Sequence, residues 1–295
     1  MRRGLRLQGF GNELMRLLGG RSVHPVGARV GGFFRAAAQA EVDAMLAQLR
    51  AALPEAEELV AWAAALPMPV DRQEFVNVAL RHATDYPLAE GRIVSDGGLD
   101  IAVEEVEQHF VEEHRPQSTA LFASLHGKPY LVGPLARLNL NLDRLPASSY
   151  ALLEQSGIRF PSDNMFHSLF ARALEIHVAI VEAIRLLDIY QLPARTHVEY
   201  EPRAGIGFGA TEAPRGVLWH RYEVDDDGII RSARIVPPTS QNQARIEADL
   251  HRSLLNYGLD RSDEQLRLRA ETVIRNYDPC ISCATHFLTL KTNRR

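Results

Sequence analysis

The chain has 295 residues, 46% of them hydrophobic and 24% charged, an ordinary globular composition with enough apolar surface to fill a core without staples. A net charge of −4 with scattered arginines excludes a general affinity for nucleic acid, and two cysteines are too few for a secreted disulfide framework. Arg2 and Arg3 are followed by no apolar run, and no stretch reaches the ~18 to 20 apolar residues of a membrane span, so neither signal peptide nor span is predicted and a cytoplasmic location is expected.

Residues 36–64 are rich in Ala, Leu and Glu with apolar positions at helical spacing. Pro54 predicts their division into two helices, because a mid-helix proline lacks a donor and clashes with the preceding turn. Residues 72–84 read as helical, and 90–103 as short strands around the turn Asp96-Gly97-Gly98. An acidic helix is expected over 104–114, stopped by Pro116, and strand and loop over 118–142. Pro161-Ser162-Asp163-Asn164 predicts a helix start, and Phe166, Leu169, Phe170, Leu174, Val178, Val181 and Ile184 form its apolar stripe as far as residue 189.

Residues 216–236 read as a hairpin whose turn is Asp225-Asp226-Asp227-Gly228. Helices follow over 243–256 and 261–275, and a loop carries the cysteines. No internal repeat or linker interrupts the chain. The expectation is one continuous domain over 1–295, mostly α (α+β), with small sheets.

Cys280 and Cys283 form a C-x-x-C pair, which places two thiols within reach of one metal, and His286 continues the spacing. Three other readings stand beside it. A redox pair would need a βαβ context, and the preceding segment reads as helical. A structural zinc site would need further ligands, and two buried, inert cysteines are the bland case. Upstream, Gly205, Gly207 and Ala210 match the dinucleotide pattern G-x-G-x-x-A. That match is rejected, because Pro202 and Pro214 flank a run that opens no helix. The glycines instead predict a sharp turn or a close approach. Val236-Pro237-Pro238-Thr239-Ser240 reads as the end of a strand, with Thr239 or Ser240 capping the next helix.

Longer strings narrow these alternatives. Asp278-Pro279-Cys280-Ile281-Ser282-Cys283-Ala284-Thr285-His286 and Glu212-Ala213-Pro214-Arg215-Gly216 resemble the signatures of nickel–iron hydrogenase large subunits. The segments Gly19-Gly20-Arg21-Ser22-Val23-His24-Pro25 and Pro237-Pro238-Thr239-Ser240-Gln241-Asn242 resemble two further ones. The resemblance is strongest to the soluble cytoplasmic branch and implies a helical-bundle core with small peripheral antiparallel sheets. It implies reversible oxidation of dihydrogen to protons and electrons, coupled to an NAD(P)- or deazaflavin-type acceptor. Cys280 would be a terminal nickel ligand, and Cys283 would bridge nickel to an iron carrying cyanide and carbon monoxide. His286 would bind a structural magnesium. Arg215 would lie over the open position between the metals. Pro214 and Thr239 would be cofactor-binding residues, with the Thr239 hydroxyl bonding an iron-bound cyanide, and His24 would lie behind the centre.

The implied partners are an iron–sulfur small subunit, further electron-transfer subunits and a maturation protease that removes Phe287 to Arg295. The family's first C-x-x-C, which supplies two more nickel thiolates, has no counterpart here, since Cys280 and Cys283 are the only cysteines. The expectation is a shortened product or a misassigned start, ahead of a split subunit or a relative that has lost its metal. This chain alone is therefore not expected to hold a four-thiolate nickel site. Two rivals remain: a non-catalytic scaffold related to the quinone-side subunit of respiratory complex I, and a zinc clip on Cys280, Cys283 and His286.

Overall fold

The computed structural model describes residues 2–280. In chain order, α1 (Arg2–Gly19) leads to the two-residue strands β1 (Ala28–Arg29) and β2 (Gly32–Phe33), then to α2 (Gln39–Ala64). Strands β3 (Val78–Arg81), β4 (Arg92–Ser95) and β5 (Asp100–Ile101) follow, then the one-turn α3 (Val106–His109) and strands β6 (Phe110–Glu113) and β7 (Phe122–Leu125). Next come α4 (Pro134–Leu140), α5 (Ala147–Ser156) and α6 (Ser168–Asp188). The chain continues through β8 (Gly205–Ala213), β9 (Gly216–Val224), β10 (Ile230–Val236), α7 (Pro238–Tyr257) and α8 (Asp263–Arg275). Two compact units form, one from Met1–Leu66, Pro146–Gly157 and Ala173–Arg203, the other from Pro67–Leu145, Ile158–Arg172 and the chain from Ala204 onward.

The first unit is helical. Its long helix α2 is continuous, not two helices divided at Pro54. Val42, Met45, Leu49, Ala52, Ala56, Val60 and Ala63 make one buried stripe on both sides of the proline, which itself faces solvent. There the missing backbone bond can be replaced by water, and the stripe keeps the axis continuous. Helix α1 was not anticipated, because Gly4, Gly9 and Gly11 lower its propensity. It is held by packing: Leu7, Phe10, Leu14 and Leu17 lie against the α2 stripe and residues of α6.

Within this unit Ser149 Oγ lies 2.8 Å from Nδ1 of the fully buried His177, whose Nε2 has no partner among the described residues. Burial pulls the His177 pKa below its ordinary value, against the opposing pull of Glu57. The folded protein therefore favours neutral His177, while the unfolded chain protonates near about 6.5. Its contribution to stability is full above that value and is lost as the pH falls below it. Melting temperatures measured from about pH 7 to about pH 5.5 are expected to fall less in His177→Gln than in wild type. Parallel slopes would remove His177 from the acid response.

The second unit is built on three small antiparallel sheets. They are a β10-β9-β8 meander, a β3-β4-β5 meander and the β6-β7 pair. Val78, Leu80, Ile93, Phe110, Tyr130, Val217 and Trp219 fill the core between them. The indole nitrogen of Trp219 donates to the Val103 carbonyl at 2.7 Å. The turn at Asp96-Gly97-Gly98 and the Asp225–Gly228 turn connect strands as predicted.

Several local expectations fail here. Residues 72–84 contain strand β3 instead of a helix: Val78, Ala79 and Leu80 are all buried and pair with Ser95, Val94 and Ile93. A strand covered on both faces loses the alternation that would mark it. The 104–114 helix is one short turn before strand β6, and 118–142 holds α4, with Pro134 at its first position, as well as strand. The glycine run 205–213 is strand β8, paired with β9 along its whole length. Helix α7 begins at Pro238, and neither Thr239 nor Ser240 caps it. Pro237 is its N-cap, and Ser240 Oγ bonds to the Pro237 carbonyl and to Glu112. Helix is the predominant regular structure and the sheets are small and antiparallel, in agreement with the expected class.

Candidate metal centre

The approach to Cys280 starts with α8. Ser262 Oγ accepts from the Gln265 amide, and the Gln265 side chain accepts from the Ser262 amide, a capping box that sets the helix start. Leu266, Ala270 and Val273 bury its apolar side. Beyond its end each of three consecutive residues is held. The Asn276 carbonyl accepts from Ser168 Oγ at 3.0 Å and from Arg172 Nη1 at 2.9 Å. The buried Tyr277 hydroxyl donates to Asp249 on α7. Asp278 turns the chain with φ 48°, a conformation that only His24 and His126 share among described non-glycine residues. Burial pushes the Tyr277 hydroxyl well above its ordinary pKa, helped by the Asp249 charge, so it remains a donor. Burial also raises the Asp249 carboxyl, with Arg245 pulling the other way. Cys280 is half-buried and follows this anchored run after Pro279.

Arg215 reaches the same run from the other side of the sequence. It stands in the sharp turn between β8 and β9. Its Nε donates to the Asp278 carbonyl and lies 3.1 Å from the Asp278 carboxylate. Pro214, Arg215, Asn242, Tyr277 and Asp278 all line one narrow cleft. The turn fits because Gly216, at φ 137°, passes so close to Val132 that an added Cβ would stand 2.4 Å from Val132 Cγ2. The close approach expected of the glycines is therefore made at Gly216, while Gly205, Gly207 and Gly209 face open space.

The first turn of α7 is sewn to the floor of the cleft. Asn242 accepts from the Val132 amide at 2.9 Å and donates to the Val132 carbonyl at 3.1 Å, and Gln241 donates to the Val217 carbonyl at 2.5 Å. Thr239 is buried in this turn but is not among the residues lining the cleft. His24 belongs to the first unit, is exposed, and its carbonyl accepts from Arg21 Nε at 3.0 Å. Cys283, His286 and the 287–295 tail lie outside the described residues. Among the described residues no three His, Cys, Asp or Glu side chains gather as a metal site.

Sequence reasoning missed Arg137, Arg172, Asn242, Asp249 and Tyr277. For Arg137 a signal existed, an arginine inside the apolar run Leu131-Val132-Gly133-Pro134-Leu135-Ala136-Arg137-Leu138. Its side chain is buried and lies 2.6 Å from the equally buried Glu212 carboxylate. Arg172 and Asp249 are polar residues on helices and Tyr277 follows the end of α8, where nothing local marks them, and Asn242 lies in a recognised string without standing out from it.

A family model described as nickel-dependent hydrogenase matches residues 124–286. The chain belongs to the nickel-dependent hydrogenase family. The sulfhydrogenase 1 alpha subunit of Pyrococcus furiosus is 32% identical over 97% of this hydrogenase chain and 67% of its own length. The coenzyme F420 hydrogenase alpha subunit of Methanocaldococcus jannaschii is 26% identical over 96% of this chain and 63% of itself. A solved NAD+-reducing [NiFe]-hydrogenase in the H2-reduced state superposes with a TM-score of 0.82 at 27% identity, covering 97% of this chain and 68% of that one. The chain thus spans about two thirds of the length of these relatives. No described helix of the hydrogenase chain is long and apolar enough to cross a membrane.

Proposed function

We propose that this chain is the active-site subunit of a nickel–iron hydrogenase that oxidises dihydrogen reversibly to protons and electrons, within a cytoplasmic complex. The observation that carries the reading is the contact of Arg215 with Asp278, which joins the Glu-Ala-Pro-Arg-Gly turn to the start of the Asp-Pro-Cys motif. Family membership supports it, as does the likeness to the NAD+-reducing [NiFe]-hydrogenase.

The donor chemistry fits the metals. Cys280 ends an anchored segment beside a cleft that holds a guanidinium, and thiolates suit nickel and iron better than hard cations. Cys280 and Cys283 would hold nickel, Cys283 would also reach an iron with cyanide and carbon monoxide ligands, and His286 would hold magnesium. When bound, the metal pair supplies the splitting of dihydrogen. Asp278 aims Arg215, whose fixed charge can stabilise charge that develops in the cleft. A guanidinium offers hydrogen-bond donors and no acceptor, so Arg215 acts as an electrostatic group and donor. Asn276 and Tyr277 hold the backbone that presents Cys280. Pro214 forms an apolar wall of the cleft, whereas Thr239, which does not line it, is assigned to an iron-bound cyanide on the family resemblance alone.

Two cysteines provide two thiolates, so a four-thiolate centre takes the others from outside residues 1–295. Electrons would leave through an iron–sulfur small subunit, then through further electron-transfer subunits, toward an NAD(P)- or deazaflavin-type acceptor. This chain has no cysteines left for clusters.

Elemental analysis of the chain purified with its partners is expected to find nickel and non-cluster iron near one to one. Zinc alone would turn the reading to a structural clip, and no metal to a scaffold. The tail gives a second measurement. Mass spectrometry of metal-loaded chain from a host with the maturation protease is expected to show Phe287 to Arg295 removed. An intact tail on fully loaded chain would refute a cleavable precursor.

A further inference from the structure

Arg137 lies on α4, far from Arg215 in sequence, yet its guanidinium ends directly behind the turn that carries Arg215. Nη1 bonds the Glu212 carboxylate at 2.6 Å and the Ala213 carbonyl at 2.8 Å, and Nη2 bonds the Pro214 carbonyl at 3.2 Å. The two residues preceding Arg215 are thus gripped through their backbone by one rigid planar group. The grip is itself anchored. The other Glu212 oxygen accepts from the Leu80 amide of β3 at 2.8 Å, and the Glu212 amide donates to the Leu88 carbonyl at 2.8 Å. Asn141 ties α4 to the same strand, donating to the carbonyls of Arg137 and Leu80 at 3.0 and 3.1 Å. At the front of α4, Gly133 lies so close to the turn that an added Cβ would stand 2.8 Å from the Arg215 carbonyl oxygen.

We infer that Arg137 is a positioning residue for Arg215, fixing through the Ala213 and Pro214 carbonyls the point from which the Arg215 side chain enters the cleft. The inference rests on the role proposed for Arg215 and extends it to a residue that touches neither the metals nor Cys280 in that proposal. The chemistry favours geometry over stability as the reason for an arginine here. A buried ion pair contributes little that well-packed apolar side chains would not, whereas a planar fork holds a carboxylate and two carbonyls at fixed angles. Lysine offers a point charge on a flexible stem and cannot reproduce that fork. An Arg215 whose turn drifts by a fraction of an ångström keeps its charge but loses its aim, and displacements of about 1 Å can cost about 100-fold in rate.

The test uses the complex purified with its partner subunits and compares Arg137→Lys, Arg215→Lys and the double variant. In Arg137→Lys, nickel content and melting temperature are expected to stay near wild type. Amide hydrogen exchange is expected to rise about tenfold in the peptide spanning Ala213 to Gly216 and nowhere else. Turnover should fall about tenfold with KM for dihydrogen unchanged, and the double variant should be no more than about twofold slower than Arg215→Lys alone. Losses that multiply in the double variant overturn the inference, as does turn exchange that is unchanged or that rises only with the whole chain. If Arg137→Lys does not fold, Glu212→Gln loosens the same fork with little change of shape and is read by the same criteria. Full turnover in Arg215→Lys would refute the role of Arg215 itself. Loss in Arg215→Lys with none in Arg137→Lys would refute only the positioning role.

Discussion

In the complex purified with its partner subunits, Cys280→Ser should give a folded chain that has lost nearly all of its nickel. The substitution exchanges one atom, and the segment before it is held by groups that do not involve the thiol: the Asn276 carbonyl, the Tyr277 hydroxyl and the Asp278 carbonyl. Melting temperature is therefore expected to stay near that of metal-free wild type. Nickel content is expected to fall below about a tenth, because a serine hydroxyl does not ionise near neutral pH while a thiol does so from about 8.5, lower still beside a metal. Oxygen is also the harder donor and the poorer match for nickel. Hydrogen oxidation should vanish with the metal. Nickel retained at wild-type stoichiometry would remove Cys280 from the ligand set. An unfolded variant would instead mean that the thiol is structural, which the anchoring of residues 276–278 argues against.

Arg215→Lys should separate metal binding from turnover. Arg215 is not a ligand in the proposal, so nickel and iron contents are expected to match wild type. Lysine lacks the Nε–H that reaches the Asp278 carbonyl, and a flexible ammonium does not hold the orientation that Asp278 imposes on a guanidinium. Loss of one positioned donor in a catalytic cleft typically costs about 100- to 1,000-fold in turnover, and a loss in that range is expected here. Steady-state hydrogen oxidation by the metal-loaded complex measures it. Turnover equal to wild type would end the role assigned to Arg215, and lost metal would recast it as a structural support of the cysteine segment.

The two variants probe parts of the site that differ in how visible they are in the chain. The cysteine spacing and the Glu-Ala-Pro-Arg-Gly string are contiguous, so their chemistry is readable locally. The pairing of Arg215 with Asp278 is not, because nothing local to either residue selects the other across that separation. The same holds for Glu212 and Arg137. Arg137 is marked by the apolar run around it and Glu212 by its string, but only the fold shows that the two are buried together and paired.

The secondary structure divides along similar lines. Helices α6, α7 and α8 carry enough turns of apolar periodicity to be recognised, and the Asp225–Gly228 turn has the composition that a tight connection requires. The misreadings fall where a distant partner overrode local preference. Val78, Ala79 and Leu80 fit a helix equally well until β4 pairs with them. Gly205 to Ala213 has poor strand propensity, yet β9 pairs with all of it while Phe208 and Ala210 reach the core. Pro54 has the local character of a helix breaker, and a stripe buried on both sides carries the helix through it.

Composition, long-period helices, tight turns and the ligand-bearing strings follow from residues close together in the chain, where propensity and spacing act directly. The strand pairings, the anchored run before Cys280 and the Arg137–Glu212 grip behind Arg215 exist only once the chain has closed. Burial makes those polar contacts strong and specific, and burial is a property of the packed molecule.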